Sequence, residues 1–174
     1  TLPARTAEIQ QLLERAMERV REFSRTLEPD VVGPAGLYAA LDRLAGRTRR
    51  SFRGRFRLMA DSSLRLDAAP ARALYRIAEQ AVDNAVRHGR STTLEVQLKS
   101  TSQGPTLEVR DNGVGFDTGR GVPPGSGLGL LIMEHYAAEA GIDLAITSRP
   151  GSGTVVRAVL RARIPDAPEA PYEK

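Results

Sequence analysis

Apolar residues at Ile9, Leu13, Ala16, Val20, Phe23 and Leu27 follow alternating steps of four and three. That spacing is the a/d seam of a helix that packs against another helix. Leu12 and Met17 widen the stripe, as a bundle helix requires. Such a stripe must be covered, by a partner chain or by the helix's own domain. Pro29, Gly33 and Pro34 break the chain directly afterwards, which separates the helix from the rest of the sequence and favours a dimer partner. After the break, Pro34 suits a helix start, and Leu37, Leu41 and Leu44 predict a short helix ending near Gly46. In RRSFRGRFR at 49–57, Phe52, Phe56 and Leu58 share one phase while Arg53, Arg55 and Arg57 share the other. Period-two alternation predicts a half-buried strand over 52–59 with its arginines in water.

A long helix is expected over 70–88, then strands near 92–99 and 105–110. A glycine-rich loop comes next at 113–129, then a helix over 128–140 and strands near 142–148 and 153–163. This mixture predicts an α+β fold, a two-layer sandwich with helices on one face of a mixed sheet. The segment 164–174, with three prolines and little to bury, is expected to be a disordered tail.

Composition narrows the class. Hydrophobic residues make up 41% and charged residues 26% of the 174, the balance of a globular protein with a core. No apolar run approaches the roughly 20 residues that cross a bilayer, and TLPARTAEIQ lacks a signal peptide's apolar stretch. Without cysteine there is no disulfide and no thiolate metal site. The expected location is cytoplasmic, with any membrane anchor lying upstream. A net charge of +4 is modest for a nucleic-acid binder. The arginine cluster is better explained as a solvated strand face, so no direct nucleic-acid contact is expected.

Four stretches carry candidate chemistry. On the helix ALYRIAEQAVDNAVRHG, Leu74, Ile77, Ala78, Ala81 and Ala85 mark the buried side, while Gln80, Asn84, Arg87 and His88 stack at i, i+4, i+7 and i+8. Amide, cation and imidazole in a row suit a metal ion and phosphate oxygens, although such a stripe taken alone is usually a solvated face. In DNGVGFD, Asp111 continues the inward phase of Leu107 and Val109. A carboxylate there must accept strong hydrogen bonds, which the amino group of adenine can donate. Gly113 and Gly115 let backbone approach a ligand, although Asp-Asn-Gly is also a common turn. GSGLGL at 125–130 directly precedes a helix, where backbone amides bind anions. It has neither the lysine of a P-loop nor the βαβ setting of a dinucleotide fingerprint. PGSGT at 150–154 joins two strands, as a simple hairpin turn also would.

In this order and spacing, the four stretches resemble the GHKL ATPase superfamily over residues 34–163: gyrase-type topoisomerases, heat-shock chaperone ATPases, histidine kinases and mismatch-repair ATPases. The resemblance implies that Asn84 holds magnesium and Asp111 the adenine amino group. It implies that Gly113, Gly115, Gly127 and Gly129, with Leu128 and Leu130 between and beside them, shape the nucleotide pocket and its lid, and that Thr154 lies near the adenine. The strings YRIAEQAVDNAVRHG and GSGLGLLIMEHYAAEAGIDLAITSRPGSGTVV look like the sensor histidine kinases that partner response regulators with helix-turn-helix output. Arg87 and His88 then match residues that approach the phosphates, and 117–125 a compact ATP lid. Residues 1–33 resemble the C-terminal part of a dimerisation helical hairpin. The implied cofactors are ATP and magnesium. The implied partners are a second copy bound through the N-terminal helix and a response regulator in a two-component phosphorelay.

Two departures shape the expectation. The family usually carries Glu four residues before the magnesium Asn, but here that position is Gln80 and the glutamate is Glu79. At about 100° per residue, Glu79 points roughly 140° away from Asn84 around the helix. An amide cannot take a proton from attacking water, so hydrolysis should be slow. Phosphoryl transfer to imidazole, itself a nucleophile, suffers less. The second departure is that the two histidines, His88 and His135, both lie off the heptad helix. The acceptor histidine is therefore expected upstream of this fragment, which alone should not autophosphorylate. Two alternatives stay open: an anti-sigma-type serine kinase of the same superfamily, and a nucleotide-binding module with weak catalysis.

Overall fold

The computed structural model describes residues 31–117 and 127–161. The expected heptad helix, all but the first residue of the expected lid (117–125) and the expected tail (164–174) lie outside the described residues. Among the described residues, three helices and five strands follow in the order α1 (Gly36–Ser51), β1 (Arg55–Ala60), α2 (Ala68–Arg87), β2 (Thr93–Thr101), β3 (Gly104–Asp111), α3 (Gly127–Ala140), β4 (Ile142–Ser148) and β5 (Thr154–Leu160). The strands form one sheet in the order β1-β2-β3-β5-β4. β1 and β2 are parallel, and every other pairing is antiparallel. The mixed sheet with its helices is the α+β arrangement expected from the residue pattern.

Alternation along the strands decides which face is covered. Leu94, Val96 and Leu98 of β2, Leu107 and Val109 of β3, and Val156 and Ala158 of β5 are buried. Glu95, Gln97, Glu108 and Arg157, in the opposite phase, are at least partly exposed. α2 lies over β2, β3 and β5, with α1 on one flank and α3 on the other. That central position explains why Leu74, Tyr75, Ile77, Ala78, Ala81, Val82 and Ala85 are all buried, more of the circumference than one stripe.

α1 is longer than the sequence suggests. Gly46 lies inside it, and the helix runs on to Ser51. Leu37, Ala40, Leu41, Leu44, Ala45 and Thr48 hold one buried stripe across the glycine, and the Thr48 hydroxyl donates to the Leu44 carbonyl at 2.9 Å. A helical glycine costs only about 1 kcal/mol, less than the burial of the turn beyond it returns. Arg49 and Arg50 therefore belong to the last turn of α1, where cations complement the helix dipole. The alternation survives from Phe52 onward: Phe52, Phe56 and Leu58 are half-buried, and Arg53, Arg55 and Arg57 exposed. Arg49 stacks on the Phe56 ring, 5.5 Å from its centroid.

Candidate nucleotide site

A cavity of about 260 Å³ opens between α2, α3 and the ends of β3 and β5. Asn84 and His88 line it from α2, Asp111 and Val109 from β3, Leu130 and Met133 from α3, and Thr154 and Val156 from β5. Gly115, with Val114 and Phe116, closes the side formed by the loop after β3. Among the described residues, only Asn84, His88, Asp111 and Thr154 bring polar side chains, set in an otherwise apolar wall. Small-molecule sites of this type bind a flat apolar group and read it with few polar atoms.

The loops around the cavity are laced by backbone bonds. The Val114 amide donates to the Gly89 carbonyl (2.7 Å) and the Gly151 amide to the Val114 carbonyl (2.6 Å). Three segments distant in sequence, at 89, 114 and 151, thus form one rim. Gly115 has φ +58°, and a Cβ there would overlap the Arg149 carbonyl oxygen, so the rim closes only with glycine at this point. Asn112, which the sequence offered only as part of a turn, clamps the start of β2. Its Oδ1 accepts from the amides of Thr92 (2.9 Å) and Thr93 (2.8 Å), and its Nδ2 donates to the Thr92 hydroxyl (2.9 Å).

Asp111 is half-buried, less enclosed than its phase suggests, because it is the last residue of β3 and faces the open cavity. Its Oδ1 accepts the Gly113 amide at 2.7 Å. Burial pushes its carboxyl above the ordinary carboxylate value, while the amides of Gly113 and Thr154 pull the other way. The charged form is thus held by two fixed donors and has room to accept from a ligand.

On α2, Asn84 and Gln80 are turned toward the first turn of α3. A Cβ on Gly129 would meet the Asn84 amide at 3.0 and 3.1 Å and Gln80 Oε1 at 3.4 Å. Glycine at 129 is what allows the two helices to bring these amides to the cavity edge. Glu79 is held elsewhere. Its carboxylate accepts from Tyr75 (2.9 Å), Arg76 (2.8 Å) and Arg47 of α1 (3.3 Å). Arg47 also donates to the Tyr75 hydroxyl at 2.8 Å. Burial raises the Tyr75 pKa, keeping the phenol a neutral donor to Glu79. Glu79 fastens α1 to α2, on a face of the helix that Asn84 does not share.

The remaining expected residues divide. Arg87 lies outside the cavity wall, with Nε bonded to Asp83 at 2.6 Å on the exposed side of α2. Gly113 is buried behind the wall and serves through its amide. Gly127 opens α3, and Leu128, 57% exposed, does not line the cavity, whereas Leu130 does. Met133 and Val156 were legible only as neighbours, one turn beyond Leu130 and two residues beyond Thr154. Among the described residues no group of three or more His, Cys, Asp or Glu could cage a metal. The amide oxygens of Asn84 and Gln80 fit a hard cation that takes its other ligands from phosphates and water.

The profile of the family described as histidine kinase-, DNA gyrase B-, and HSP90-like ATPase matches residues 69–164. The chain is 34% identical over 152 residues to the sensor histidine kinase MctS of Rhizobium johnstonii, covering 85% of this chain and 32% of that protein. It is 29% identical over 149 residues to the oxygen sensor histidine kinase NreB of Staphylococcus carnosus, covering 85% of this chain and 43% of that protein. It thus spans less than half the length of these relatives. In fold it is similar to the histidine kinase domain of the Erythrobacter litoralis EL346 blue-light activated histidine kinase (TM-score 0.60, 21% identity, 71% of this chain and 59% of that one). It is also similar to full-length ShkA solved in complex with AMPPNP (TM-score 0.55, 19% identity, 70% and 28%). The cavity, its glycine-shaped rim and these likenesses converge: the chain belongs to the histidine kinase-, DNA gyrase B- and HSP90-like ATPase family.

Proposed function

We propose that this chain is the ATP-binding catalytic part of a two-component sensor histidine kinase, donating the γ-phosphoryl of ATP to a histidine on a dimerisation hairpin. A response-regulator aspartate then receives the phosphoryl group. The observation that carries the proposal is the half-buried Asp111 carboxylate, held by two backbone amides at the end of an apolar cavity. It suits an amino-bearing purine, and the relatives at 34% and 29% identity are sensor histidine kinases.

In this scheme Asp111 accepts from the adenine amino group, with Thr154 beside it. Val109, Val156, Leu130 and Met133 clasp the ring. His88 lies on the phosphate side, and Arg87 reaches the phosphates by exchanging Asp83 for them. Asn84, with Gln80 one turn before it, would hold magnesium, which would supply charge neutralisation for the phosphates. The chain's own work is to position the phosphoryl donor and keep water from it. Gln80 has no basic atom with which to activate water, and Glu79 is occupied by Arg47, Tyr75 and Arg76. That combination favours transfer to imidazole over hydrolysis.

The test is incubation with γ-labelled ATP and magnesium, with and without a histidine-bearing hairpin. The expected result is acid-labile label on the hairpin and label near background on the chain itself. Acid-stable label would point instead to a serine-directed kinase of the same superfamily.

A further inference from the structure

Ser148 ends β4, and its side chain is buried, 5% exposed, behind the cavity wall rather than in it. Three groups surround its Oγ. The Phe116 amide lies at 2.9 Å, the Gly153 carbonyl at 3.0 Å and the Thr154 hydroxyl at 3.0 Å. Their chemistry fixes the protons. An amide N–H can only donate, so Ser148 accepts from Phe116. A carbonyl can only accept, so the single hydroxyl hydrogen of Ser148 goes to Gly153. The third bond then needs its hydrogen from Thr154. This distribution leaves no buried partner unsatisfied, the condition such groups meet in folded proteins.

Thr154 lies between two facing residues in one row of the sheet, Ser148 on β4 and Asp111 on β3. Thr154 and Asp111 both line the cavity. With its proton committed to Ser148, the Thr154 oxygen offers lone pairs alone to a ligand, as the Asp111 carboxylate does.

We infer that Ser148 is a positioning residue for base selection: it turns Thr154 into an acceptor, so that Thr154 and Asp111 form a double-acceptor site for an exocyclic amino group and against a keto oxygen. The inference rests on the nucleotide-binding proposal above and deepens it. An amino group carries two hydrogens, one for each acceptor, whereas a keto oxygen in the same place faces two sets of lone pairs. In Ser148→Ala the Thr154 proton is released and can turn into the cavity, where it would satisfy a keto group.

The experiment measures binding of ATP and of inosine triphosphate, which carries a keto group where ATP carries its amino group. Isothermal titration is run on the wild-type chain, Ser148→Ala and Thr154→Val. Wild type should prefer ATP. Each variant should lower the ratio of the two affinities by about five- to tenfold, the size of one good hydrogen bond. A purely structural role for Ser148 would weaken both nucleotides equally and leave the ratio unchanged, and that result overturns the inference. Thr154→Val keeps the inference exposed should Ser148→Ala fold poorly, since an unchanged ratio there overturns it as well. Wild type that binds neither nucleotide overturns both the inference and the nucleotide-binding proposal. Wild type that binds ATP, with ratios unmoved by the variants, removes the inference alone.

Discussion

At the scale of single residues, a carboxylate at the end of a buried strand is kept charged at a cost. Burial raises the Asp111 pKa, so the folded chain binds this proton more tightly than the unfolded chain. The stability contributed by Asp111 is therefore fully present below its unfolded value and is lost as pH rises through the higher folded one. Asp111→Asn has no such titration. At neutral pH it should raise the melting temperature of the unliganded chain. The gain should shrink as the pH is lowered and the carboxyl takes up its proton, and scanning calorimetry at neutral and acid pH checks the sign. A second residue-scale prediction concerns Gln80, whose Oε1 lies beside Asn84 and Gly129. Gln80→Glu restores a base at the cavity edge. Steady-state ATP hydrolysis should rise by at least about tenfold, the lower side of what a positioned base contributes. An unchanged rate would remove the claim that the amide suppresses water activation. Asn84 and His88 could be singled out from helix spacing and Asp111 from strand phase, whereas Thr154 was indicated only by the family resemblance. Ser148 was not legible at all, since its bond to Phe116 spans 32 positions and nothing local announces it.

Among the elements, the contact between α2 and α3 decides whether the motifs meet. Gly129 lets Asn84 and Gln80 lie against the first turn of α3. In Gly129→Ala the new methyl would press on the Asn84 amide, tighter than ordinary contact, and the amide must move. Binding of magnesium-ATP should weaken by roughly tenfold, about 1.4 kcal/mol, and titration against wild type measures it. The helix and strand periods were sufficient to find all eight described elements. They misplaced the end of α1, because Gly46 resembles a stop signal when its buried neighbours are unknown. They also gave no hint of the Arg47–Tyr75–Glu79 fastening, which joins side chains 28 and 32 positions apart. The 140° offset of Glu79 from Asn84 expected from helix geometry agrees with where that fastening lies.

At the scale of the whole molecule, the described residues hold a cavity at one end of a five-stranded sheet. Neither histidine stands in for a phosphoacceptor in the proposed scheme. His88 lines the cavity, and His135 sits on α3 with Nε2 3.5 Å from Glu139. No described helix is long and apolar enough to cross a membrane. The arginine-edged strand β1 shares its charge with the sheet, since Arg57 pairs with Glu95, as a solvated face would. The class of fold could be inferred from the order of helix and strand periods, and the family from the order and spacing of the motifs that carry glycine, asparagine and aspartate. What could not be inferred was the rim, built from backbone bonds between residues 89, 114 and 151. The most direct measurement of the central claim is isothermal titration of the chain with ATP and magnesium, beside Asp111→Asn. Wild type should bind one nucleotide per chain, and the variant should bind at least about tenfold more weakly through loss of a charged hydrogen bond. Equal binding by the two proteins, or none by wild type, would contradict the account.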